Sequence, residues 1–191
     1  STAVGYSADT AYIYSVLSSG RGGTTYGVSR YYINFDLQSN LPYGSAIMSA
    51  SLNLYYHTTA GTQRLIKHSD TGTLFSTGDY DACIYTSGTN DSNDMHAYSN
   101  SYTPSNTSAY TSIDLNELAL TDIKRNAGTS GSSLGFFCVA VVQEKDYTDD
   151  APSNNSDNSR VYQDYYTGTD RDPFVRIMYE KPQSIWFGAT F

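Results

Sequence analysis

Four carboxylates crowd one stretch of this chain. Asp146, Asp149, Asp150 and Asp157 stand in DYTDDAPSNNSDNS (146–159), with Asn154 and Asn155 between them. Ca2+ takes about six to eight oxygens from such side chains and from backbone carbonyls. A structural Ca2+ is therefore one expectation for this loop, although the spacing is not that of an EF-hand. A solvated acidic loop is the competing one. Asp91 and Asp94 form a sparser set in a second long loop. No motif calls for any other cofactor.

Tyrosine is the other abundant chemistry, with 19 copies. Its ring offers an apolar face and its hydroxyl a hydrogen bond, a pairing that suits stacking on sugars. Tyr98, Tyr102, Tyr110, Tyr147, Tyr165 and Tyr166 lie in or beside predicted loops and are the candidate glycan platform. Tyrosine also favours half-exposed strand faces, so some clustering is expected without any ligand.

Signals for catalysis are missing. The chain has no GxSxG, no HExxH and no glycine-rich phosphate loop. His57, His68 and His96 are scattered, and each reads as a solvated surface histidine. No spacing singles out a catalytic pair among the 19 acidic residues. The expectation is a protein that is not an enzyme.

The C-terminal residues form an unusual cluster. Ile185, Trp186, Phe187 and Phe191 gather just beyond Pro182, which cannot donate to a strand ladder. Burying three aromatic side chains is worth on the order of 10 kcal/mol gross at about 25 cal/mol per Å2. A tail with that content should bury itself on its own domain or on another subunit. The second is the leading expectation, which makes 181–191 an assembly segment appended to one domain over 1–180.

These groups need a framework, and the patterning supplies one. In 30–37, Tyr31, Ile33, Phe35 and Leu37 share one face, while Arg30, Tyr32, Asn34 and Asp36 share the other. Period two marks a half-buried strand. After the turn signal Pro42-Tyr43-Gly44, Ala50, Leu52, Leu54 and Tyr56 point one way and Ser51, Asn53 and Tyr55 the other. That second face is expected to meet a sheet edge, a glycan or another subunit. Further strands are predicted over 10–17, 80–85, 109–115, 161–166 and 174–179. LGFFCVAVV (134–142) is apolar on both faces and predicts a strand buried on both sides. The segments 18–27 and 86–108 read as loops. One short helix is predicted after Asp114, with Asp114 as N-cap, Glu117 completing a capping box and Gly128 ending the helix. The fold class is an all-β, two-sheet antiparallel sandwich of the jelly-roll kind with one short helix.

Composition narrows the partners. Net charge is −8 and the pI about 4.6, so a phosphate backbone is repelled and nucleic acid is not expected. No apolar run is long enough to span a membrane. STAVGYSADT at the N-terminus lacks a basic and apolar leader pattern, so a leader was either removed or never needed. Cys83 and Cys138 both lie in strand-like segments and could be one disulfide or two buried hydrophobes. Asn90, Asn106 and Asn154 begin N-glycosylation-type triplets, which matter only in a eukaryotic secretory pathway.

Several motifs in order carry a family likeness. Ala8-Asp9-Thr10, RYYINFDL (30–37), LPYGSAIMSASLNLYY (41–56), a helix after Ile113-Asp114-Leu115, Leu134-Gly135-Phe136 and DPFVRIMY (172–179) resemble the disaggregatase-related or DNRLRE-type β-jelly-roll domains. Those domains are akin to carbohydrate-binding modules, and the likeness spans roughly residues 8–179. It implies a non-catalytic module of the kind found in secreted polysaccharide-active enzymes, on cell surfaces and on phage particles. The tryptophan common in that family's helix region is missing from 116–126, and the sole tryptophan is Trp186. No sugar site that relies on it carries over. The functional expectation is a structural or adhesive protein on the outside of an assembly. A virion decoration, head fibre or tail component is foremost, with other subunits as partners and a virion-surface or extracellular location. The alternative is a carbohydrate-binding module that takes a polysaccharide.

Overall fold

The computed structural model describes residues 10–20, 23–37, 40–68, 96–104, 107, 109–127, 135–151, 157–162 and 168–181. The strands are β1 (Thr10–Gly20), β2 (Gly23–Ser29), β3 (Tyr31–Asp36), β4 (Ala46–Thr58), β5 (Gln63–Lys67), β6 (Tyr110–Asp114), β7 (Phe136–Gln143), β8 (Asn158–Tyr162) and β9 (Phe174–Glu180). Two helices, α1 (Glu117–Asn126) and α2 (Glu144–Tyr147), and a 3-10 turn at Thr169–Arg171 complete the described elements. One sheet runs β2-β1-β8-β4-β6, with β9 also on β4, and the other runs β3-β7-β5. Every strand pairing among the described residues is antiparallel, which gives an all-β sandwich with a short helix.

The alternation in the sequence becomes the two faces of β4. Ala50, Leu52, Leu54 and Tyr56 are buried, while Ser51 and Tyr55 stay half-exposed and His57 is exposed. The inward set meets Ile13, Leu65, Ile113, Ile123, Phe137, Val139, Val141 and Val161 in one core. β7 is buried along nearly its whole length on both faces, as its unbroken apolar run requires. Ala140 and Val142 on its other face pack with Ile66, Tyr32 and Tyr147 in a second, smaller cluster.

Some elements differ from the sequence expectation. The segment read as a glycine loop over 18–27 is mostly strand, because Gly20 and Gly23 close a hairpin and Thr24, Thr25, Tyr26 and Val28 are good strand formers. β8 starts at Asn158 rather than Val161, and α2 occupies the start of the acidic stretch. Helix α1 is capped by Asn116, not Asp114: Asn116 Oδ1 accepts from the Ala119 N–H at 3.2 Å. Asp114 is instead held in the β4–β6 ladder opposite Ser51, so its backbone cannot open a helix. His68, expected at the surface, is buried and packs edge-on against Tyr32. Cys138 is buried on β7. Cys83, the strand expected over 80–85, Gly128, the three glycosylation-type asparagines, and Asp91 and Asp94 lie outside the described residues. No helix among the described residues is long and apolar enough to cross a membrane.

Candidate binding face

The outward face of the larger sheet gathers aromatic side chains from four strands. Tyr55 of β4 stands opposite Tyr110 of β6, and Asn53 stands opposite Phe174 of β9. Tyr162 of β8 comes alongside, because Val161 pairs with Tyr56 and places its neighbour outward. The rings meet edge to face: Tyr55–Tyr162 at 5.7 Å, Tyr55–Tyr110 at 5.3 Å and Tyr110–Phe174 at 5.0 Å between centroids. His57 extends the row beyond Tyr162 at 5.7 Å. All four rings remain half-exposed.

The β8–β9 connection holds this row in place. The Arg171 guanidinium lies 4.9 Å from the Tyr162 ring centroid and 5.3 Å from that of Tyr55, and it donates to the Tyr162 hydroxyl at 2.8 Å. The Tyr110 hydroxyl lies 3.1 Å from the carbonyls of both Asp170 and Asp172 and donates to this pair. Burial, then the nearby Asp172 and Asp170 charges, raise the Tyr110 phenol above its ordinary value and keep it a neutral donor. Polar groups border the rings. Ser51, Ser112, Asp114 and Arg176 share this face by register. Apolar rings ringed by donors and acceptors can stack on the C–H faces of a sugar and bond its hydroxyls.

The expected glycan tyrosines are scattered. Only Tyr110 belongs to this face. Tyr98 is corrected outright: it is 1% exposed, stacks on Phe137 at 5.2 Å, and donates to Asp122 Oδ2 at 2.6 Å. Tyr102 turns its hydroxyl inward, 3.1 Å from that of Tyr56 and 3.2 Å from Gln63 Oε1. Tyr147 lies under the Arg64 guanidinium at 4.2 Å, and Arg64 also forms a bidentate pair with Glu144. Tyr165 and Tyr166 lie outside the described residues, as do Ile185, Trp186, Phe187 and Phe191 of the expected assembly segment. Tyr55 and Asn53 were legible as an outward face; Tyr162, Phe174 and Arg171 were missed, since only the strand register brings them together.

The described carboxylates of the acidic stretch are engaged by other side chains or exposed. Asp146 is buried with both oxygens bonded to Arg30, at 2.7 and 2.9 Å. Asp157 accepts from Lys145 at 2.5 Å, and Asp150 accepts from the Thr148 hydroxyl at 2.7 Å. Asp149 is exposed with φ of 55°. Two of the four expected carboxylates are thus already paired with cations, and Asn154 and Asn155 lie outside the described residues. No three acidic, histidine or cysteine side chains among the described residues are grouped to hold a metal.

A second polar centre is structural in character. Asp122 of α1 accepts from Tyr98, from Lys67 at 2.7 Å and from Arg125 at 2.7 Å. Burial alone would raise its carboxyl, but the hydrogen bonds from Lys67 and Tyr98 and the charges of Lys67 and Arg125 outweigh it, and the group sits below its ordinary value. Compared with protein-family models, with curated proteins and with solved structures, the chain finds no match.

Proposed function

We propose that this sandwich is a non-catalytic adhesive module that holds an extended carbohydrate across the outward face of β4, β6, β8 and β9. The observation that carries the reading is the half-exposed row Tyr162–Tyr55–Tyr110–Phe174, fixed from one side by Arg171. Rings held in place before a ligand arrives reduce the ordering cost of binding. The polar border of Ser51, Ser112, Asp114 and Arg176 supplies hydrogen bonds that set orientation.

The test is affinity electrophoresis of the whole chain through gels that contain neutral or uronate-bearing polysaccharides. At least one polysaccharide should retard the native chain, and Tyr110→Ala and Phe174→Ala should each weaken retardation about tenfold, the loss of one ring's stacking. Retardation by none of them, or equal retardation of the variants, would overturn the reading.

A second reading is favoured by the sequence of the tail. Ile185, Trp186, Phe187 and Phe191 follow directly on the strand that ends at Glu180. They would anchor the module to other subunits on the outside of an assembly such as a phage particle. Sedimentation of the full chain against a 1–180 truncation decides it: a smaller assembly for a folded truncation supports the anchor, and an unchanged assembly size sinks it.

A further inference from the structure

Strand β9 is bonded to β4 along one side, and no strand among the described residues covers its other side. An open edge offers a row of backbone donors and acceptors to another strand. The side chains along this one are distinctive. Arg176, Met178 and Glu180 alternate on the outward face, all exposed, with Met178 at 66%. Neither Arg176 nor Glu180 has a side-chain ionic or hydrogen-bonding partner among the described residues. Met48, itself 57% exposed, sits in the bulge between Ile47 and Ser49, next to Met178 across the β4–β9 ladder. Val175, Ile177 and Tyr179 point inward yet remain only half-buried.

We infer that β9 pairs with β9 of a second copy of this chain, antiparallel, about a two-fold axis at Met178. Symmetry restricts the registers sharply. A two-fold perpendicular to a continuing sheet keeps outward residues opposite outward residues, so the axis passes through one residue. Centred on Arg176, it sets two guanidiniums face to face, which repel. Centred on Ile177, it sets Arg176 opposite Met178 and leaves both charges unmatched. Centred on Met178, it sets Arg176 of each copy opposite Glu180 of the other, twice, with Met178 on Met178 between them. Ile177 then lies opposite Tyr179 on the inward face and gives each the cover it lacks on one copy. Opposite charges directly across an antiparallel pair stabilise it, and like charges do the reverse. Pro182 ends the pairing, because it has no N–H to add.

This inference needs no carbohydrate and no tail, so it stands apart from both readings above. Sedimentation equilibrium of the whole chain should show a dimer that weakens as salt is raised, since the matched charges lie at the surface. Arg176→Glu and Glu180→Arg should each weaken the dimer about tenfold or more, as two ion pairs become two repulsions. The combined swap should restore it, because the pairing returns with its signs exchanged. Met178→Cys should cross-link two copies on mild oxidation, since residues on the axis face each other across the ladder. A monomer at every concentration, a dimer indifferent to the single charge reversals, or a swap that fails to restore association would each overturn it. The 1–180 truncation should keep this dimer, which separates it from an anchor in the tail.

Discussion

Tyr98 is sealed in the interior with its hydroxyl on the Asp122 carboxylate, while Tyr110 stands half-exposed with its hydroxyl on two backbone carbonyls. Around Tyr98 every partner is fixed: Phe137 stacks on the ring, and Lys67 and Arg125 share the carboxylate. Around Tyr110 the contacts are ring edges and one guanidinium-bearing turn, and one side of the row is open. The same side chain thus serves as a core strut in one region and as a surface in the other. What separates them is the acceptor. A carboxylate in a buried setting binds a phenol strongly and punishes its loss, whereas a half-wet carbonyl can exchange its partner for water.

The widest gap between the regions should appear on removing the acceptor. Asp122→Ala strands the Tyr98 hydroxyl and the Lys67 ammonium, and should cost about 3 kcal/mol in urea unfolding. A loss under about 1 kcal/mol would show that the centre is wet and that the contrast is false. Acid should reveal the same group. Its carboxyl lies below the ordinary value when folded, so its stabilisation is complete above the unfolded value of about 3.9. That contribution fades as pH falls below this value and through the folded one. Asp122→Asn should therefore show a shallower loss of stability between about pH 4 and 2 than the native chain. Parallel acid curves would remove Asp122 from the account.

Tyr98→Phe comes next. It keeps the ring on Phe137 and deletes one of the hydrogen bonds to a carboxylate that retains Lys67 and Arg125. The expected cost is about 1.5 kcal/mol by the same unfolding measurement. The matching change at Tyr110→Phe should cost about 0.5 kcal/mol, since water can replace the phenol at the two carbonyls. Equal costs at the two sites would erase the distinction between strut and surface.

Much of the strut and part of the surface could be read from residue order alone. Period two in 50–56 set Leu52, Leu54 and Tyr56 inward and Ser51 and Tyr55 outward, because alternation is a local property of a strand. The doubly apolar run of β7 read equally well. Tyr98 misled, since in a stretch of turn-formers nothing local announces a carboxylate placed 24 residues later on a helix. Asp146 misled for the same reason: its charge looked available until Arg30, 116 residues away, took both oxygens. The aromatic row depends on three strand pairings of β4, and pairing is a property of the whole sheet. Asn116 displaced Asp114 as cap because a strand ladder claimed Asp114 first, a contest between two elements that a capping motif cannot record.

A comparably small stability effect tests whether the surface is held ready or merely folded over. Arg171 touches two rings and one hydroxyl, yet its own side chain is 33% exposed, so the contact is worth only about 0.5–1 kcal/mol. Arg171→Ala should lower unfolding stability by no more than that. Its larger consequence should fall on ligand retention. If the guanidinium fixes the poses of Tyr55 and Tyr162, its loss frees both rings and weakens polysaccharide retardation while the fold is kept. If it instead lies over the surface a sugar would use, its loss uncovers the rings and retardation strengthens. Arg171→Lys sharpens the choice, because it keeps the charge and gives up the planar stacking of the guanidinium. Weakened retardation in both variants would show that the flat guanidinium orders the row. Strengthened retardation in the alanine variant would make residues 168–173 a cover that a bound polysaccharide must displace.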